Sequence, residues 1–476
     1  MNPPPGTADR RRVVMFVRNP CTNDVRVLRE AATLHAAGWP TTIVALQPGG
    51  SDAPPDHEDR NGVRIIRVPA PADWRVRWRD MRYYPWRALR GVPRLLVRAL
   101  RSGPAGIVDA LGVVAVSLVT LPYTLIQAAR YVATRRALPR PHDVEDGLDH
   151  LAWWRLSALG WAKGAAAAAP PADVYHGHDL TGLPAAVRAA RRDDRPANVI
   201  YDSHELFLEA GVEARQPWWV RRILGRLERR WIAGVDGIVT VNASIAAELR
   251  RRYGGPPAVV VRNTPPRQPI AATRPDHLRS AAGIPADAPV VLYHGGFQRD
   301  RGLDVLAEAM ADHRVESAHL VFLGFGPLTE SLYALAAEPR FGGRLHVLPA
   351  VPSDELLPWV ASADVSAMPN QPRTLNERYS TPNKLFESLA VGTPVVSSDF
   401  PERRRIVIDD PDGPLGAVCD PTRPAAVAGA LGEILSLDPG AMADLRRRCQ
   451  HAAHERFCWE QEGAELIGLY ARLAAQ

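Results

Sequence analysis

The chain has 476 residues, of which 46% are hydrophobic and 23% charged. This balance excludes a disordered or fibrous protein, and the length exceeds what one core usually serves, so two domains are expected. The formal net charge of +6 does not point to nucleic acid, because the arginine excess runs through much of the chain and no DNA- or RNA-binding motif is present.

The segment 1–12 is Pro-rich and polar and lacks the apolar core of a signal peptide. An apolar strand follows at 13–17, then a loop, then a helix from Asp24 to Ala37. Asp24 is a good helix cap and Gly38 a good stop. Further buried strands are expected at 42–46, 63–68, 174–176, 198–201, 237–241 and 258–261. Their alternation with helical segments is the pattern of a parallel sheet covered by helices.

The segment 74–169 departs from that alternation. Trp74, Trp78 and Trp86 are interleaved with arginines from Arg75 to Arg101, and an uncharged run follows at 110–127. Gly112 and Pro122 interrupt that run, which is marginal against the ~20 apolar residues that a bilayer span needs. Two readings stand: a core helix within an inserted helical subdomain, or contact with a membrane surface.

Asn263 to Pro269 is a stiff Pro-rich linker. Beyond it the alternation resumes, with strands at 289–293, 319–323, 344–348, 365–368 and 395–397. The stretch Thr381 to Val396 is expected to cap a helix with Thr381, start it at Pro382, close it at Gly392 and enter a strand. Asn383 and Glu387 share one helix face, with Lys384 beside the helix start. Such an end offers free N–H groups and a cation to phosphates, and Glu387 to a ribose. The last stretch, 458–474, is an amphipathic helix anchored by Trp459, Leu466, Leu469, Tyr470 and Leu473. Cys21, Cys419, Cys449 and Cys458 show neither metal spacing nor a disulfide framework, which fits a reducing compartment.

Four more segments fall at expected strand ends: 173–180 with His176 and His178, 201–207 with His204, 295–303 with Gly296 and Arg301, and 324–328 with Gly324 and Gly326. In this order, and with the Pro-Asn-Lys-Leu-Phe-Glu run at 382–387, the chain closely resembles the family 4-like retaining glycosyltransferases of the GT-B fold. The run is the subtype found in bacterial surface-polysaccharide and glycolipid enzymes. The resemblance covers both halves and the last helix but not the segment 74–169.

The resemblance implies an α/β fold of two doubly wound, Rossmann-like parallel sheets facing a crevice, with a helical insert in the first. The acceptor-side domain would span 1–264 (insert about 74–169) and the nucleotide-sugar domain 270–455. Residues 456–476 would form a helix packing back on the first domain. It implies transfer from a nucleotide-diphosphate sugar to a glycan or lipid-linked acceptor with retention of anomeric configuration, without cofactor or metal. His204 would act in catalysis. Glu387 would hold the ribose and Arg301 the diphosphate. Asn383, Lys384, Gly296, Gly324 and Gly326 would complete the donor site, with Asp24, His178, Arg299 and Glu377 as accessory candidates.

Two departures stand out. The first of the family's paired glutamates would fall at Tyr379, with Glu377 two positions early, and a second basic residue near Gly296 is absent, leaving Arg299 or Lys384 to compensate. The same architecture serves nucleotide-sugar epimerases and silent scaffold subunits, and these are the alternative functions. The expected location is cytoplasmic, peripheral on the inner membrane face. Expected partners are the nucleotide sugar, the acceptor and an anionic membrane surface, and no nucleic acid.

Overall fold

The computed structural model describes residues 11–49, 52–71, 147–193, 195–269 and 273–475, together with Leu125, Ala129 and Val132. Most of the expected insert, including its Trp/Arg stretch and all of the run at 110–127 but Leu125, lies outside the described residues. Its last part is helical, with helices Gly147–Trp153 and Leu159–Ala168 joined by a π-helical turn, Trp154–Ala158. No helix among the described residues is long and apolar enough to cross a membrane.

The chain divides into two compact units, Met1–Ile200 with Arg215–Gly234, and Tyr201–Ala214 with Val235–Gln476. One sheet contains β1 (Val13–Val17), β2 (Thr41–Gln47), β3 (His57–Arg60), β4 (Val63–Pro69), β5 (Val174–His178), β6 (Asn198–Ser203), β7 (Gly237–Thr240) and β8 (Ala258–Val260). Its order is β3-β4-β2-β1-β5-β6-β7-β8. The pairs β1–β2, β1–β5, β2–β4 and β7–β8 are parallel, and β3 runs antiparallel to β4. The sequence reading had no β3, because its four side chains are polar. A hairpin makes it: Asn61 and Gly62 both take positive φ, 55° and 82°, as a tight two-residue turn demands. Glu58 of β3 then pairs with Arg67 of β4 at 2.6 Å.

The second sheet contains β9 (Val290–Gly296), β10 (His319–Phe325), β11 (Leu345–Leu348), β12 (Val365–Met368), β13 (Val395–Ser398) and β14 (Gly416–Cys419). All its pairs are parallel, in the order β11-β10-β9-β12-β13-β14. Strand β14 is a second element absent from the expectation. Both faces are buried: Val291 and Tyr293 of β9 enter one apolar cluster, Val290 and Leu292 the other. The strand order reverses between β9 and β12. In open α/β sheets such a switch point leaves a cleft at the carboxyl ends of the two strands, where ligands bind.

The helix after β12 needs a correction. It spans Asn383–Ala390, and Pro382, not Thr381, is its cap residue, without a side-chain cap. The Thr381 hydroxyl instead faces the Asn242 amide at 3.5 Å. Gly392 follows the helix at φ 72°, as a stop should. The last helix, Trp459–Ala474, buries the expected anchors and packs on β7 and β8. The Pro-rich segment before the second sheet is tied to this end of the chain. Trp459 N–H donates to the Pro265 carbonyl at 3.0 Å, and Arg262 pairs with Glu462 at 3.0 Å. All four cysteines are buried and free.

Candidate functional site

The switch point of the second sheet gathers most of the expected donor residues. Strand β9 ends in His294, Gly295 and Gly296, and β10 ends beside it in Gly324 and Phe325. A Cβ on Gly324 would fall 2.1 Å from the Gly295 carbonyl oxygen, so only glycine lets the two strand ends meet this closely. The turn Arg299–Arg301 ends at Gly302, φ 68°, where a Cβ would fall 2.1 Å from the Pro369 carbonyl oxygen. The loops after β9 and β12 are therefore in backbone contact.

The helix Asn383–Ala390 presents Lys384 and Glu387 to β9. Glu387 Oε2 lies 2.9 Å from His294 Nε2. Lys384 Nζ lies 4.7 Å from the Tyr293 ring centre, a cation–π distance, and 3.5 Å from its hydroxyl. Burial, then the Arg301 and Arg403 charges, push the Lys384 ammonium down to about 7 against the pull of Glu387. Arg403 is fully buried. Its guanidinium donates to the Ser380 and Met368 carbonyls at 3.1 and 3.3 Å, and to the Asn370 side chain at 3.2 Å. Burial and Arg301 lower it to about 9. The Arg301 side chain itself makes no hydrogen bond or ion pair with another described residue. Three cations thus share a region where burial makes charge costly. An anionic ligand would relieve their mutual repulsion.

His204 follows β6, and its Nε2 lies 3.0 Å from Oδ2 of the buried Asp202. Its turn is fastened to the loop after β12. Leu206 N–H donates to Asn376 Oδ1 at 2.9 Å, and Asn376 Nδ2 donates to Glu205 at 3.2 Å. Asn242 Nδ2 donates to the Tyr379 carbonyl at 2.8 Å. Glu377 closes a capping box with Thr374 on the short helix Leu375–Tyr379. Burial, then Asp300, raise its carboxyl. Arg299 and Asn383 are exposed, and so is Gly296, whose carbonyl accepts from the Tyr293 hydroxyl at 2.9 Å. Gly326 begins the turn into helix Thr329–Ala336, its N–H bonded to Thr329 Oγ1 at 3.0 Å.

In the first unit, Asp24 caps helix Val25–Ala36 through the Val27 N–H at 3.2 Å. His178 is buried and stacks on His176 with ring centres 4.4 Å apart. Glu30 lies within 4.8 Å of both histidines. These are ligand types a divalent cation uses, but Arg26 pairs with Glu30 at 3.0 Å and already supplies it with a positive charge.

The sequence reading passed over His294, Arg403, Asn376 and Asn242. His294 had a signal, a polar residue closing the apolar strand before two glycines. Arg403 had none, since it opens a run of three arginines whose other two members, Arg404 and Arg405, are exposed.

Residues 288–436 match the family model for glycosyl transferases group 1, and residues 109–264 match that for glycosyltransferase family 4. The chain is 32% identical over 314 residues to a D-inositol 3-phosphate glycosyltransferase of Xylanimonas cellulosilytica, covering 63% of this chain and 72% of that one. Among solved structures it is similar to sucrose-phosphate synthase from Thermosynechococcus elongatus, with TM-score 0.64 and 18% identity, covering 98% of this chain and 100% of that one. It is also similar to Anabaena HepE in complex with UDP-glucose, with TM-score 0.59 and 12% identity over 97% and 100% of the two chains. These structural likenesses establish the two-sheet GT-B fold.

Proposed function

The chain belongs to the family 4-type glycosyltransferases, and from that premise we propose that it moves a sugar from a nucleoside-diphosphate sugar to a glycan or lipid-linked acceptor with retention of configuration. The observation that carries the donor reading is the trio Arg301, Lys384 and Arg403 gathered at the switch point beside Glu387. Arg301 and Lys384 would meet the diphosphate, and Glu387, oriented by His294, would accept from the ribose hydroxyls. Gly296, Gly324 and Gly326 would let the nucleotide approach the backbone. That HepE was crystallised with UDP-glucose supports a donor of this class. Asn383 would line the same helix face as Glu387. Arg299, Asp24 and His178 are accessory at most in this reading, and Glu377 serves its own helix.

In the transfer, the bond from the anomeric carbon to the phosphate oxygen breaks. A bond to the acceptor oxygen forms on the same face, and the acceptor proton passes to the departing phosphate. Cations at the phosphates stabilise the charge that develops there, without a metal. His204, held by Asp202, would orient sugar and phosphate. The Pro-Asn-Lys-Leu-Phe-Glu run supports placing the chain among surface-glycan enzymes, working in the cytoplasm at the inner membrane face. The domain assignment of acceptor to 1–264 and donor to 270–455, with 456–476 returning to the first sheet, belongs to the same proposal.

The test is incubation with a panel of nucleotide sugars, following nucleotide release with and without lipid-linked acceptors. Acceptor-dependent release supports transfer. Conversion of the donor sugar without acceptor would favour an epimerase, and no nucleotide binding at all would favour a silent subunit.

A further inference from the structure

Three helices of the first unit, Leu159–Ala168, Asp179–Arg192 and Trp218–Ile232, enclose a groove of about 600 Å³ that the donor chemistry does not use. Its floor is apolar, with Leu159, Ala166, Pro184, Val187, Leu227 and Trp231. Its polar lining is cationic throughout: Lys163, Arg188, Arg191, Arg192 and Arg230, with no carboxylate. Lys163, Arg188, Arg191 and Arg230 are exposed and make no ion pair with another described residue. Arg192 is fixed in place by the Ala167 and Ala169 carbonyls, at 2.8 and 2.9 Å.

The helix Trp218–Ile232 extends this character beyond the groove. Ile223, 38% exposed, lies on the same stripe as Leu227 and Arg230. Trp218, 74% exposed, stands at the helix start with the exposed Arg222 and Arg226 one and two turns on, on a face about 130° from the groove wall. Apolar side chains exposed among these arginines are costly in water. They suit a boundary where an apolar layer underlies a sheet of negative charge. A groove of this volume accepts part of an acyl chain, and its rim accepts the phosphate above it.

We propose that this groove and the adjoining Ile223–Leu227–Arg230 stripe of helix Trp218–Ile232 dock on an anionic phospholipid surface. The inference rests on the lipid-linked reading of the acceptor, and its test is separate because vesicle binding is measured without donor or acceptor. It places the contact on residues other than the Trp74–Arg101 stretch that first suggested a membrane.

The experiment is co-sedimentation of the full chain with phosphatidylglycerol/phosphatidylcholine vesicles, against pure phosphatidylcholine, at low and high salt. The wild type should bind only the anionic vesicles and release as salt rises. The triple variant Arg188→Glu, Arg191→Glu, Arg230→Glu should lose about a hundredfold or more in partition, since each juxtamembrane charge contributes about fivefold and Glu adds repulsion. A control with equal charge change elsewhere, Arg11→Glu, Arg12→Glu, Arg423→Glu, should keep most of the binding. Should the Glu variant fail to fold, the variant Arg188→Gln, Arg191→Gln, Arg230→Gln and the pair Ile223→Ser, Leu227→Ser carry the test, each with nucleotide affinity as the folding check. Three results would overturn the proposal: a wild type that ignores anionic vesicles, equal loss in the control variant, or groove variants that bind as the wild type does. If nucleotide release shows transfer while vesicles are ignored, the groove proposal fails alone.

Discussion

The cations at the second sheet's switch point and those of the first unit's groove are the same residue types put to opposite uses. Lys384 and Arg403 are drawn out of water, and their pKa values fall to about 7 and about 9. Arg188, Arg191 and Arg230 stay exposed on an apolar floor and act through a summed field. A buried cation gains most from a ligand that delivers negative charge at one position, so it selects. An exposed cluster attracts any dense negative surface and weakens with salt, so it adheres. Burial, more than charge, separates a binding site from a docking face.

The largest effect expected at the selective region is on turnover. His204→Ala should lower kcat by about a hundredfold or more and move donor affinity far less, because its contact matters mainly as charge develops on the phosphate. Steady-state kinetics with a fluorimetric nucleotide assay would show it. Wild-type turnover would return His204 to a structural role and leave the selective region with binding residues only.

Next in size is stability. Arg403→Met would strand the Ser380 and Met368 carbonyls and the Asn370 side chain, which Arg403 holds together. A loss of about 3 kcal/mol is expected in urea denaturation, as for breaking a buried charged network. An unchanged midpoint would show that the buried cation is there for the ligand alone.

The third prediction is a pH dependence. Free Lys384 is charged below about pH 7 and neutral above it, and a diphosphate needs the charged form. Donor affinity should be flat at low pH and fall by up to about tenfold per unit above 7. Lys384→Met should flatten that slope. The same shift affects folding with the opposite sense. The folded pKa, about 7, lies below the ordinary lysine value of 10.5. The unfolded chain therefore binds more protons between these values, and this group's penalty on stability is relieved as pH rises through that window.

Much of the fold was legible because many of its strands are apolar runs bounded by polar residues, proline or glycine. Val13–Val17 and Val365–Met368 were read with the bounds they have. Strand β14 was missed because Gly416–Cys419 is short and follows Gly413-Pro414, which reads as loop. Strand β3 was missed for its polarity, although Asn61-Gly62 is a strong hairpin signal. Sequence placed Glu387, Lys384 and Arg301 in one expected site, and the second sheet's topology brings them to one end of β9. Legibility failed for residues that act through distant partners. Asn376 gains its part only because folding sets it against Leu206, and Thr381 lost the expected cap because Asn242 faces its hydroxyl. No local pattern encodes such pairings.

The central claim is that the switch-point cluster binds a nucleoside diphosphate. Titration calorimetry of UDP and GDP into the wild type, Glu387→Ala and Arg301→Ala at pH 6.5 tests it most directly. Each variant should bind the preferred nucleotide about tenfold or more weakly, as loss of a charge-assisted hydrogen bond worth ~1.5–3 kcal/mol requires. Unchanged affinity in both variants, with the wild type binding, would contradict the assignment and move the donor site elsewhere in the chain.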